Sequence, residues 1–200
     1  MKRLLITSVV LLMTSGALLA EGPWSLFGGA RAQKQSAGGN PWVINLTSNA
    51  DSPYSGVAFQ QPNGKLLFSQ IAQLSADYDV VSGGCGGGSP RFSIAVDEGG
   101  GVTRHVFVYI GNAPNFDCPA SGWQNTGNLI TSTELRFDST QLGGPFYGTY
   151  DQALARAGSF PVVGVSLVID SAWMFPSGEV ILVDNVTVNN FVLRAKGFDK

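Results

Sequence analysis

The sequence predicts an all-β fold, a two-sheet antiparallel β-sandwich of jelly-roll-like type with one short helix near 149–157. Three observations carry that expectation. Short runs rich in Val, Ile and Phe recur at regular spacing from Trp42 onward. Clusters of Gly, Asn and Pro separate them. Strand and helix patterns do not alternate, so a parallel βαβ sheet is not expected.

The elements follow in order. Residues 42–46 and 55–60 read as the first two strands, and Pro62-Asn63-Gly64 offers a tight turn, since Asn-Gly tolerates positive φ. Residues 65–73 fit a strand or a helical turn equally well. Leu74, Ala76, Tyr78 and Val80 alternate with Ser75, Asp77 and Asp79, the pattern of a half-buried strand. The strongest local signal is a β-hairpin. Phe92, Ile94 and Val96 alternate over 91–97, Glu98 and three glycines turn the chain, and Val106, Val108 and Ile110 share one face of the returning strand. Residues 111–128 read as loop. Thr149 and Gln152 have capping-box spacing ahead of Ala153-Leu154-Ala155, and Gly158 is suited to end that helix. Two long strands at 161–169 and 179–188 follow, with a short one at 190–194.

The N-terminus reads as an export signal over 1–20. Lys2 and Arg3 precede an apolar run from Leu4 to Leu12, and Ser15, Gly16, Ala17 and Ala20 supply small residues for cleavage. That run is short for a bilayer span, which needs about 20 residues. Residues 21–40, rich in Gly, Ala, Ser and Gln, read as a flexible leader, and 41–200 as one sandwich domain. The protein is therefore expected to be secreted or periplasmic, with no membrane span after cleavage. Its formal charge is −2, and no cluster of Lys or Arg argues for nucleic acid or an anionic membrane as partner. Charged residues make up 13% of the chain, about half the usual share. Two cysteines in an exported chain are expected to pair: Cys85 and Cys118 enclose 32 residues. Closing a loop of that size stabilises a fold by about 3 to 4 kcal/mol on the chain-entropy model.

Candidates for chemistry are few. His105, Phe107 and Tyr109 share the face of the hairpin strand opposite Val106, Val108 and Ile110. Flat rings on a sheet face suit sugar recognition, because the apolar face of a pyranose stacks on them. The competing expectation is that a loop or the 149–157 helix covers the rings, since large exposed apolar patches are rare. Trp123, in a loop of Gln and Asn, is a second stacking platform or a cover for the sandwich end. His105 is the only histidine, and no Gly-x-Ser-x-Gly elbow accompanies it. One His and two paired Cys leave too few ligands for zinc. Glu98, Glu134, Glu179 and the aspartates could supply a glycosidase carboxylate pair, but their separation is not legible. Asp77 and Asp79 share a strand face, as a solvated edge or a calcium site.

Two stretches carry resemblances. Val183-Asp184-Asn185-Val186-Thr187-Val188 resembles the last strand of jelly-roll carbohydrate-binding modules. In some such modules the last-strand Asp helps hold a structural calcium, so this resemblance implies calcium as a cofactor with Asp184 as its ligand. The alternative for a carboxylate buried beside Leu182 and Val186 is a set of backbone amides. The run from Cys85 to Phe92, together with Gly122 to Asn128, resembles uncharacterised exported bacterial domains and implies no activity. Asn45-Leu46-Thr47 and Asn185-Val186-Thr187 match the glycosylation sequon, but both lie in predicted strands and the likeness is bacterial, so they are read as chance. The resulting expectation is a non-catalytic exported module that binds carbohydrate or another surface polymer through His105, Phe107, Tyr109 and Trp123. A structural cell-envelope or protein-interaction domain is the second expectation, and a glycoside hydrolase or lyase on a jelly-roll fold the third.

Overall fold

The structure is a computed structural model describing residues 20–35, 41–62, 66–119 and 122–198. The export signal, apart from Ala20, and the Asn63-Gly64 turn lie outside the described residues. Among the described residues thirteen strands and one α-helix succeed one another: β1 (Ala20–Glu21), β2 (Trp24–Gly28), β3 (Arg31–Lys34), β4 (Trp42–Ser48), β5 (Ser55–Phe59), β6 (Leu74–Ser82), β7 (Arg91–Gly99), β8 (Val102–Tyr109), β9 (Gln124–Asn125), β10 (Phe137–Asp138), α1 (Tyr150–Ala157), β11 (Val162–Ile169), β12 (Glu179–Val188) and β13 (Phe191–Val192). They form the expected antiparallel two-sheet sandwich. The first sheet runs β1-β2-β5-β11-β7-β8-β10; the second runs β3-β4-β12-β6-β9, with β13 paired to β12.

The period-2 pattern explains the core. Phe92 and Ile94 of β7 stand opposite Val108 and Val106 of β8. All four are fully buried, together with Ile44, Leu46, Val57, Ile181 and Val183 from the facing strands. At the hairpin tip Gly99, Gly100 and Gly101 take φ of 98°, 63° and 81°, a left-handed path that side chains resist. Helix α1 starts as its capping box requires. Gln152 N–H donates to Thr149 Oγ1 at 3.3 Å, and Thr149 N–H donates to Gln152 Oε1 at 2.9 Å. Its buried Ala153 and Ala157 face the core, and Tyr150 stacks on Phe68 at 5.8 Å. The undecided segment 65–73 holds a single 3-10 turn, Phe68–Gln70.

Two expectations need correction. The stretch expected as a flexible leader contributes three strands, and β2 pairs with β5 along its whole length. Trp24 and Leu26 are buried because they continue the inner face of the first sheet. The low-hydrophobicity composition of 21–40 hid them, since an edge-side strand needs only two inward side chains. The second correction concerns β12. Its register with β6 shifts between Asp184 and Thr187, where Asn185 takes φ of 49°. This bulge returns Val186 to the core, while Leu182 and Asp184 stay outside the core cluster. Asp184 therefore shares its face with Leu182 and not with Val186.

Because burial of Trp24 and Leu26 is worth about 1.5–3 kcal/mol each, a chain starting at residue 36 should unfold at markedly lower urea than one starting at residue 21. Equal midpoints would return residues 21–35 to the status of a leader.

Candidate functional site

The outer face of the first sheet carries the candidate site at one end. Alternation along β8 turns His105, Phe107 and Tyr109 outward. The register places Arg91 beside Tyr109, Ser93 beside Phe107, and Asp138 of β10 on the other side of Phe107. Arg91 grips Asp170, just past β11, with two bonds, Nη1 to Oδ1 at 2.7 Å and Nη2 to Oδ2 at 2.6 Å. Its guanidinium also lies over the Phe107 ring at 5.0 Å. Tyr109 donates its hydroxyl to Asp138 Oδ2 at 3.0 Å. Thr140 donates to Asp138 Oδ1 from both its backbone N–H (2.9 Å) and its hydroxyl (2.6 Å). Burial, and then the Asp138 carboxylate, hold the Tyr109 phenol far above its usual range.

Loops cover part of this face, as one of the two expectations held. Phe116, Phe146 and Tyr147 surround Tyr109 at ring separations of 5.5, 5.9 and 6.0 Å and leave it buried. Phe146 and Tyr147 themselves remain about half exposed. The covering elements are the loops that carry Phe116 and Phe146-Tyr147 and not α1, which packs at Phe68 and Phe137. Beside them opens a cleft of about 310 Å³, walled by Arg91, Phe107, Tyr109, Asp138, Phe146, Asp170 and Trp173. A smaller, more enclosed hollow of about 210 Å³ continues over Phe116 and Tyr147.

Trp173 is 77% exposed, yet its ring is braced. A Cβ on Gly87, where φ is 59°, would come within 2.7 Å of the indole Cζ2 and of Met174 Sδ. Glycine alone allows both that backbone and that approach. Beneath the two loops lies Glu179, fully buried. It accepts from Ser89 Oγ at 2.8 and 3.0 Å and from Ser171 N–H at 3.1 Å. Burial pushes its carboxyl up from 4.5 to about 7, against the Ser89 and Ser171 hydrogen bonds that hold it down.

The residues singled out from sequence divide. Phe107 and Tyr109 line the cleft. His105 stands one row away, its ring parallel to Phe107 at 5.8 Å and its Nδ1 sharing a 2.9 Å hydrogen bond with Ser93 Oγ. Burial and then Arg91 lower the His105 pKa. Trp123 adjoins β9 of the other sheet and does not line the cleft. Cys85 and Cys118 are bonded, with Cα atoms 5.2 Å apart, just before the Gly86–Ser89 turn. Asp184 is buried opposite Asp77. Asp77 is engaged by the Asn125 and Asn185 amides, and among the described residues no three His, Cys, Asp or Glu gather to hold a metal ion. The sequon residue Asn45 is likewise buried, donating to Gln33 Oε1 at 3.0 Å.

Sequence reasoning missed Arg91, Asp138, Phe146, Asp170 and Trp173. One signal was present: Trp173-Met174-Phe175 crowds three large apolar side chains into a Pro- and Gly-containing loop, where no strand can bury them.

No family model matches the chain, and no curated protein matches it. Among solved structures it is similar to an exo-β-agarase, at 16% identity and a TM-score of 0.42, over 92% of this chain and 25% of that one. The chain spans about a quarter of that protein's length.

The Glu179 carboxyl binds its proton more tightly folded than unfolded, so its contribution to stability is full below about pH 4.5 and is lost as pH rises through about 7. Between those limits wild type should lose roughly 3 kcal/mol relative to Glu179→Gln, at about 1.36 kcal/mol per pH unit. Urea midpoints of both proteins from pH 4 to 8 measure it; a pH-independent difference between them would remove Glu179 as the source.

Proposed function

We propose that the protein is an exported, non-catalytic module that binds carbohydrate in the cleft between Arg91, Tyr109 and Trp173. The observation that carries this reading is the composition of one wall set. Three aromatic side chains with accessible faces, Phe146, Tyr147 and Trp173, adjoin a planar charged pair, Arg91–Asp170. A sugar ring presents the same two chemistries, an apolar face of C–H groups and a rim of hydroxyls. The Arg91–Asp170 pair offers donors and acceptors in fixed positions, because each partner holds the other.

Binding is favoured over hydrolysis by what the two cleft carboxylates already do. Asp170 is spent on a bidentate guanidinium and Asp138 on a phenol and a threonine. A carboxylate whose charge is shared with a guanidinium, or with a phenol and a threonine, is a poorer nucleophile than a free one. Export is supported by the Cys85–Cys118 bond, which suits an oxidising compartment. Among the described residues no helix is long and apolar enough to cross a membrane.

A glycan array probed with wild type, Trp173→Ala and Trp123→Ala tests the assignment. Losing one stacking platform should weaken binding about tenfold, roughly 1.4 kcal/mol, with thermal stability nearly unchanged because the side chain is exposed. Trp123→Ala should bind as wild type does, and a chelator should change nothing. Full retention by a folded Trp173→Ala protein would remove this cleft as the binding site.

A further inference from the structure

Trp173 belongs to two concavities at once. One face of its loop closes the Arg91 cleft, and the residue also lines a second groove of about 560 Å³, shared with Asn49, Asp51, Pro53, Phe175 and Pro176. Its ring, braced against Gly87 and otherwise open to solvent, is therefore a ridge between two hollows. The second groove has a firm floor. Asn49 Oδ1 accepts from the backbone N–H groups of Asp51 and Ser52 at 3.0 and 2.9 Å, and Ser48 Oγ accepts from Ala172 N–H at 3.2 Å, tying this loop to the Trp173 loop. Phe175 in turn packs against Gly84, where an added Cβ would meet its ring at 3.5 Å.

Charge sets a second limit on what fits. Among the described residues Arg91 is the only cationic side chain lining either concavity, and Asp170 neutralises it. Asp138 and Asp51 are left over, so the path as a whole is negative. A uronate or sulfate ester would meet like charge along it and no unpaired cation.

Resting on the carbohydrate reading above, we infer that the ligand is an uncharged polysaccharide chain that crosses Trp173, with sugar units in the Arg91 cleft, on the indole, and in the Asn49–Asp51 groove. A chain so placed stacks one unit on the ridge and gains contacts on both sides only when it is long enough to reach both. A site of this kind takes on the order of three to four sugar units. Contacts made at the second hollow by a ligand already held in the first also gain from high effective concentration.

Isothermal titration of the full chain with neutral β-linked gluco- and galacto-oligosaccharides, from dimer to octamer, and with oligogalacturonates of equal length, tests the inference. Affinity for the neutral series that binds should climb at least about tenfold from dimer to tetramer and then level off, where tenfold is the effect of one added stacking contact. Trp173→Ala should flatten that dependence. Asp51→Ala should weaken the tetramer severalfold and leave the dimer alone, a split that general destabilisation would not produce. Binding that is flat with length, or tighter for the oligogalacturonates, would overturn the extended neutral chain and leave carbohydrate binding standing. No heat with any member, in a protein with wild-type unfolding, would overturn both readings together.

Discussion

The buried carboxylate of Glu179 is the knot on which this end of the sandwich depends. It begins β12 in the second sheet, yet its hydrogen-bond donors, Ser89 and Ser171, flank β7 and β11 of the first. The donors carry the connection outward. Ser89 Oγ accepts from Asp170 N–H at 3.2 Å, and Ser171 Oγ donates to Gly86 O at 2.6 Å. Small hydroxyls around one acid thus tie together the disulfide-flanked turn, the start of the Trp173 loop and both sheets. Burying a carboxyl costs free energy even when its bonds are satisfied. Here the cost falls where the walls of the cleft must keep a fixed spacing, and a fully partnered buried network fixes geometry in a way apolar packing does not.

A second buried charge supports the aromatic wall from behind. Arg136 lies beside β10, pairs with Glu134, and donates from Nη1 to the Tyr109 carbonyl at 2.5 Å. Its guanidinium sits over Phe116 at 5.3 Å, and Phe116 is held at φ of 56°. Burial draws the Arg136 pKa down, with Tyr78 opposing the shift only in part. Tyr109 is thereby fixed at both ends, by Arg136 at its backbone and by Asp138 at its hydroxyl. Rings held in this way lose little freedom when a ligand arrives, which lowers the cost of binding.

The sheets were legible in the sequence because their signal is local. Alternation over 91–97 and the returning run through Ile110 fix which side chains enter the core, and the glycines at 99–101 fix the turn. Phe107 and Tyr109 followed from the same alternation. Their partners did not, because Asp170 reaches Arg91 across 79 positions and Glu179 reaches Ser89 across 90. Nothing in the pattern of one strand reports who sits beside it. The bulge at Asn185 was hidden for another reason: a register slip by one residue exchanges faces without changing composition, so Asp184 was placed with Val186. Trp123 read as a second stacking platform beside Tyr109, and the assignment of β9 to the second sheet separates them.

That separation follows from how each sheet treats its outer face. On the second sheet the outward polar side chains satisfy one another. Gln33, Asn45 and Thr47 form one chain of hydrogen bonds across β3 and β4. Asp77, Asn125, Asn185 and Arg194 form another across β9, β6 and β12, with Arg194 Nη1 donating to Asn185 Oδ1 at 3.1 Å. A ligand would have to break these bonds before making its own, and exchanging one hydrogen bond for another returns little net free energy. The first sheet has no such lattice at its cleft end. Its polar groups are gathered into two compact pairs, Arg91–Asp170 and Tyr109–Asp138, and the space between and beside them is bounded by ring faces, which need no partner to be satisfied. A surface whose polar groups are already paired at fixed points, with unsatisfied apolar area between them, loses little on desolvation and gains from contact. The asymmetry of the two outer faces, more than any single residue, sets the Trp173 end of the first sheet apart from Trp123 and Asp184.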